Sequence, residues 1–220
     1  MSALMDVVHL TGRNDVAVVN RVVSLLRRGG VVAVPTDTVY GLIADISRES
    51  AVKKVFRIKA RSHAKALPVF VRNITEARHY AYIDTNLVKF LPQLWPGSIT
   101  IVLRKKPTMP DLVTGGASTV GLRVPNYTFL NRVLEAFPTP LTATSANLSG
   151  SEPARSATEV QNTFIRIAPR PDLIVDGGDL ESSPPSTVLD LTNPRMPKIL
   201  RVGATTPAKL LELLAHWEKT

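Results

Sequence analysis

The sequence predicts a single α/β domain on a twisted mixed parallel/antiparallel sheet, and three observations carry that prediction. Strand-length apolar runs alternate with amphipathic segments of helix length along the 220 residues, the pattern of a sheet covered by helices. Three strand-like runs near the C-terminus follow one another without helices between them, which implies some antiparallel pairing. Hydrophobic residues make up 44% and charged residues 20%, enough apolar material for one substantial core in a globular chain.

The elements follow in order. Asn14 or Asp15 starts a helix that runs through Arg28, because Val18, Val22, Leu25 and Leu26 share a face and Gly29-Gly30 ends it. Val31 to Val34 is a short buried strand, followed by a polar turn, Pro35-Thr36-Asp37-Thr38. Glu49 to Ile58 reads as a helix and Leu67 to Val71 as a strand, with short helices around Thr75–His79 and Asn86–Leu91. Strands at Ile99–Leu103 and Val120–Val124 precede a helix at Thr128–Ala136, a strand at Leu141–Thr144 and a helix at Ala157–Phe164. The three late strands are Leu173–Val175, Thr187–Leu189 and Ile199–Arg201. Pro207 opens a closing helix with Leu210, Leu211 and Leu214 on its apolar face. No repeat is visible, and the Pro- and Ser-rich Glu181–Ser186 stretch is expected to be a mobile loop too short to divide the chain. One domain over residues 1–220 is the expectation.

Composition narrows the chemistry. The chain has no cysteine, which removes disulfides, thiol nucleophiles and thiolate metal sites. Its four histidines lack the spacing of a helical metal pair, so no protein-held metal is expected. No apolar run reaches bilayer length, and Met1–Leu10 holds Asp6 without the basic and apolar segments of a signal peptide, so a cytoplasmic protein without membrane partners is expected. Lys and Arg number 27 against 18 Asp and Glu, a net charge of +9, which favours polyanionic partners such as nucleotides, RNA or phosphorylated metabolites. Gly-Lys never occurs, so there is no P-loop, and there is no Gly-x-Gly-x-x-Gly. Ser62-His63-Ala64-Lys65 matches Ser-x-x-Lys but lacks the companion motifs of acyl enzymes.

Polar sequence at strand ends is where an open α/β sheet binds ligands, and it collects in four places. Pro35–Leu42 crowds hydroxyls and a carboxylate into a turn; Thr36 or Thr38 there suits a small polar substrate, while Asp37 bonding nearby backbone N–H groups would make it an ordinary turn. Lys59-Ala60-Arg61-Ser62-His63-Ala64-Lys65 puts three cations within seven residues, fit for a triphosphate or equally for a solvated helix end. In Ser118–Pro125, alternation puts Thr119, Gly121 and Arg123 on one side; a buried Arg123 needs an anion, either a substrate carboxylate or a structural Asp or Glu. Thr142–Gly150 is rich in small and hydroxyl residues that let backbone approach phosphates or ribose, or that simply cap a helix.

In order along the chain, these places match one family. The blocks are Pro35-Thr36-Asp37-Thr38-Val39-Tyr40-Gly41-Leu42, Lys59-x-Arg61, Lys65-x-Leu67-Pro68, Leu94-Trp95-Pro96-Gly97-x-x-Thr100, Arg123-Val124-Pro125, Ser145-Ala146-Asn147-x-Ser149-Gly150, Ser186-Thr187-Val188 and Leu200-Arg201-x-Gly203. From about Val31 to Gly203 the chain resembles the YrdC-type threonylcarbamoyl-adenylate synthases in their single-domain form. The resemblance implies a YrdC-like fold around a deep basic cleft. It implies a nucleotidyltransferase that joins L-threonine, bicarbonate (or CO₂) and ATP into threonylcarbamoyl-AMP and pyrophosphate, with Mg²⁺ carried on the ATP phosphates. A partner transferase would then modify a tRNA adenosine beside the anticodon, and RNA is itself a candidate contact.

By the same resemblance, Lys59, Arg61, Ser145 and Asn147 form the catalytic tetrad. Arg61, Lys65, Thr119, Ser145, Asn147, Arg155 and Arg201 bind ATP, and Thr36, Phe70, Arg123 and Ser186 surround the threonine. Three positions depart from the family's usual Lys-Gly-Arg-Pro and Lys-Pro-Leu: Ala60, Ser62 and Ala66. The two lost prolines predict a less constrained loop. Phe70 stands where some relatives carry His. Two other readings stay open: an RNA-binding or ribosome-assembly protein of the same fold, and a paralogue acting on another carbamoyl substrate.

Overall fold

The computed structural model describes residues 5–181 and 183–217, the last two as backbone. Met1–Leu4 of the segment read for a leader, and Ser182 of the expected loop, lie outside the described residues. The helices are α1 (Asp15–Arg27), α2 (Glu49–Ile58), α3 (Ile74–Tyr80), α4 (Thr85–Phe90), α5 (Asp111–Thr114), α6 (Thr128–Ala136), α7 (Ala157–Phe164) and α8 (Pro207–Trp217). The strands are β1 (Val7–His9), β2 (Val32–Val34), β3 (Gly41–Ile43), β4 (Val69–Phe70), β5 (Ile99–Arg104), β6 (Thr119–Arg123), β7 (Leu141–Thr142), β8 (Thr144–Ser145), β9 (Leu173–Asp176), β10 (Thr187–Asp190) and β11 (Lys198–Arg201).

Helix α1 forms because Val18, Val19, Val22, Val23 and Leu26 make a continuous buried stripe. Asn14 stands at its N-cap without capping it. Its side chain instead accepts from the Thr11 N–H and donates to the His9 carbonyl, closing the turn before the helix. The expected α2, α6 and α7 appear with the bounds read from the sequence. In α8, Leu210 and Leu214 are buried, but Leu211 is 62% exposed and not on the packed face.

The expected single sheet is in fact two mixed sheets: β1-β9-β2-β3-β8, and β11-β10-β5-β6-β4-β7. The late strands therefore do not stay together. Strand β9 lies parallel between β1 and β2, β10 lies parallel to β5, and among the three only β10 and β11 pair antiparallel. Their closeness in sequence misled because a strand's partner is chosen by long-range packing. The Leu141–Thr144 run breaks at Ala143, so β7 pairs with β4 in one sheet and β8 with β3 in the other. The Leu67–Val71 run shortens to β4. Strands β1 and β3 and helix α5 had no sequence reading, being too short to show a period.

This hand-over between sheets places the polar blocks. Phe70 and Arg123 are register partners at the parallel C-terminal ends of β4 and β6. Gly41 opens β3 opposite Ser145 of β8. Thr187 opens β10 beside Ile99 of β5. Among the described residues no helix is long and apolar enough to cross a membrane.

Helix α5 supports the basic loop after α2. The Leu67 N–H donates to the Val113 carbonyl at 2.8 Å, and the Phe56 and His63 rings sit 4.8 Å apart. Gly115 ends α5 with φ +60°, and a Cβ there would lie 2.7 Å from the Ala64 carbonyl oxygen. Gly115→Ala therefore meets both backbone strain and a collision, and is expected to cost about 1–3 kcal/mol in a urea titration. An unchanged midpoint would mean the loop does not rest on α5.

Candidate functional site

The site begins with how α2 ends. The Arg61 N–H donates to the Phe56 carbonyl and the Ala60 N–H to the Arg57 carbonyl. These are the paired bonds of a Schellman motif, which needs a left-handed residue after the cap. Ala60 takes that place with φ +47°. The sharp turn drives Lys59 inward and leaves Arg61 on the cleft wall.

Lys59 is 2% exposed, and among the described residues no carboxylate pairs with it. Its ammonium donates to the Ser145 carbonyl (2.5 Å), the Asn147 carbonyl (2.9 Å) and Asn147 Oδ1 (3.0 Å). Asn147 Oδ1 also accepts from Ser145 Oγ at 2.5 Å. The Ser149 N–H returns a bond to the Lys59 carbonyl at 3.0 Å. Burial, and then the nearby Arg61, push the Lys59 amine down to about 7. Arg61 Nη2 donates to the Ala66 carbonyl, and its Nε is buried without a partner. The four residues read as a tetrad thus meet, with Lys59 and Asn147 behind the wall formed by Arg61 and Ser145.

That wall encloses about 180 Å³, lined also by Thr36, Phe70, Arg123, Ser186 and Arg201. Thr36 is already occupied. Its hydroxyl donates to the Val39 carbonyl and accepts from the Thr38 and Val39 N–H groups, closing the 36–39 turn itself. Asp37 does not bond its own turn, as the ordinary-turn reading expected. It pairs with Arg123 at 2.7 Å and accepts from the Asn126 N–H at 3.2 Å. Of the two anions considered for buried Arg123, the structural Asp is present. Arg123 also donates to the Gly97 carbonyl and the Thr38 hydroxyl and lies 5.8 Å from the Phe70 ring.

Ser186 is fixed rather than loose. Its hydroxyl bonds Thr100 at 2.9 Å and accepts from Arg201 at 3.2 Å, and its carbonyl accepts twice from Arg201. A Cβ at Gly203 would lie 2.1 Å from the Pro185 carbonyl oxygen, so β11 and its exit press directly on residues 185–186. The C-terminal end of the expected mobile loop is therefore clamped.

Other expected ATP contacts lie farther out. Lys65 is exposed with no partner among the described residues. Thr119 stands at the opposite end of β6 from Arg123, paired with Arg104 and off the cleft lining. Arg155 lines a separate groove of about 520 Å³. A cavity of about 590 Å³ beside Trp95 and Leu134 lies elsewhere, with Arg72 and Glu135 as its charged lining residues. We place the site at the smaller cleft because its cations lack anions. Burial lowers the affinity of Lys59, Arg61, Arg123 and Arg201 for their protons, and among the described residues Asp37 alone supplies a carboxylate to any of them. Such a site is poised for an anionic ligand. No cluster of three His, Asp or Glu suited to a metal ion is found among the described residues.

Sequence reasoning missed Asp37, Gly97 and Thr100 as supports of the wall, where the first two bond Arg123 and the third bonds Ser186. The need of buried Arg123 for a carboxylate was the signal for the first, and backbone and threonine support carried none for the others.

Comparison with known proteins adds to this geometry. The Sua5/YciO/YrdC family model, described as "Telomere recombination", matches residues 24–203. A mouse protein named threonylcarbamoyl-AMP synthase is 35% identical over 187 residues, 82% of this chain and 65% of that one. The structure of Pyrococcus abyssi Sua5 complexed with L-threonine superposes with TM-score 0.83 at 30% identity, over 96% of this chain and 61% of that chain. Escherichia coli YciO superposes with TM-score 0.77 at 30% identity, over 92% and 96%. The chain thus spans less than two thirds of the length of these two synthase-named and Sua5 relatives.

Ala60 supplies a direct test. A left-handed alanine costs about 1–2 kcal/mol, while glycine costs about 0.4–1 kcal/mol through the unfolded chain. Ala60→Gly is expected to gain about 0.5–1 kcal/mol and raise the Tm by about 2 °C. A lower Tm would show that the turn is not strained.

Proposed function

The chain belongs to the Sua5/YciO/YrdC family, and on that premise we propose that it is an ATP-dependent threonylcarbamoyl-AMP synthase. The observation that carries this reading is the cleft's excess of buried cations over carboxylates, beside a wall about the size of an amino acid. The reaction is written in two balanced steps. The amine of L-threonine adds CO₂, derived from bicarbonate, and loses a proton to give a carbamate. A carbamate oxygen then attacks the α-phosphorus of ATP, the bond to the β-phosphate oxygen breaks, and pyrophosphate leaves.

Such a transfer depends on position and charge neutralisation, so no protein nucleophile is required. Arg61, on the cleft wall, and exposed Lys65 are suited to the phosphates. Lys59 acts from behind by holding Ser145 and Asn147 in place. Arg123, held between Asp37 and Gly97, is suited to the threonine carboxylate, with Phe70 and Ser186 around the rest of the amino acid. Mg²⁺ would arrive as a companion of the ATP phosphates, where it would neutralise their charge. Delivery of the product to a tRNA adenosine through a partner transferase, in the cytoplasm, follows from the family reading.

The test is pyrophosphate release from ATP, bicarbonate and threonine. Release should need all three, and release independent of threonine sinks the proposal. RNA binding that weakens steeply with salt, without turnover, would favour the binding-protein reading instead. Arg61→Ala should lower kcat/KM by on the order of 10²–10³ with the Tm unchanged. Arg123→Ala should raise the threonine KM by roughly 10–100-fold, the worth of a charge-assisted bond pair.

Proton uptake gives an independent check. Lys59 sits at about 7 in the free protein against an ordinary 10.5. Between those values the unfolded chain holds a proton that the folded chain lacks, so the free protein gains stability as pH rises through that window. Bound phosphates favour the charged amine. ATP binding at pH 8 should therefore take up a proton, and at pH 6 it should not. Calorimetry in buffers of different ionisation heat reads this directly, and equal uptake at both values would exclude Lys59 as the linked group.

A further inference from the structure

The Arg123 guanidinium ends a flexible stem, yet it has little freedom to turn. Of its five N–H groups, Nε donates to the Gly97 carbonyl at 3.0 Å, Nη1 to the Thr38 hydroxyl at 3.2 Å and Nη2 to Asp37 at 2.7 Å. The two that remain have no partner among the described residues, and Arg123 lines the cleft. The Arg123 and Asp37 side chains are 5% and 12% exposed. Asp37 is itself anchored, because its second oxygen accepts from the Asn126 N–H, three residues beyond Arg123 on the same strand exit. The 36–38 turn and the end of β6 are thereby tied together by one carboxylate.

We propose that Asp37 is the positioning residue of the site: it orients Arg123 so that its two free N–H groups meet the substrate carboxylate. This rests on the reading of Arg123 as the carboxylate's partner. Two effects of Asp37 oppose each other. Its charge repels an incoming carboxylate, whereas its bond fixes the planar fork that bidentate recognition requires. Arg201 lines the same cleft as Arg123, and its positive charge acts against that repulsion. Orientation is therefore the effect that prevails.

Two substitutions separate them. Asp37→Ala removes both charge and acceptor. Asp37→Asn removes the charge but keeps an oxygen for Arg123 Nη2. Threonine and ATP kinetics are measured for both beside Arg123→Ala, with the Tm recorded for each. Asp37→Ala should raise the threonine KM about tenfold, with kcat and the ATP KM within about twofold. Asp37→Asn should return the threonine KM to within about threefold of the parent, a split that a general loss of stability does not produce. If Arg123→Ala raises the threonine KM and Asp37→Ala leaves it unchanged or lowers it, the positioning role is overturned while the Arg123 reading stands. If Asp37→Asn is as impaired as Asp37→Ala, charge and not orientation governs, which also overturns it. If Arg123→Ala leaves the threonine KM unaltered, the reading beneath the proposal has failed, and the proposal with it.

Discussion

The site depends on a buried lysine that no carboxylate among the described residues neutralises. Lys59 is 2% exposed and gives its bonds to the Ser145 carbonyl, the Asn147 carbonyl and Asn147 Oδ1. Burying a charge with only neutral acceptors is costly, and here the cost appears as an amine pushed down to about 7. What the fold obtains is a fixed junction between the end of α2 and the exit of β8, two segments 86 residues apart. The basic loop and the Ser-x-Asn turn are thereby bonded to each other.

The same economy of anions governs the rest of the cleft. Arg61 has a buried Nε without a partner, Arg201 spends its guanidinium on Ser186, and Asp37 alone answers Arg123. The cations are held by carbonyls and hydroxyls, which orient them without cancelling their charge. A wall built this way is pre-organised for an anion and keeps its attraction for one.

Much of the fold was legible because several helices carry their own period. The bounds of α2, α6 and α7 follow from apolar spacing that no tertiary contact needed to adjust. Ala60 was marked as a departure from glycine, and its left-handed φ of +47° shows what that departure means. Strands β1 and β3 were not legible, because three residues barely display a period of two, and the break of the Leu141–Thr144 run into β7 and β8 was equally hidden. The pairing of β9 with β1 and β2 was hidden for a different reason: it joins segments well over a hundred residues apart.

By itself the sequence determined the α/β class and the ordered polar blocks, since composition and spacing are local properties, while the tetrad was implied only by the family resemblance that those blocks carry. The tertiary structure decided which of those residues line the cleft and which hold others in place. Thr36 proved to close its own turn, Lys59 to stand behind the wall, and Asp37 to leave its turn for Arg123. A side chain's role depends on which donors and acceptors remain free once its neighbours are bonded. That is set only when two sheets bring distant strand ends together.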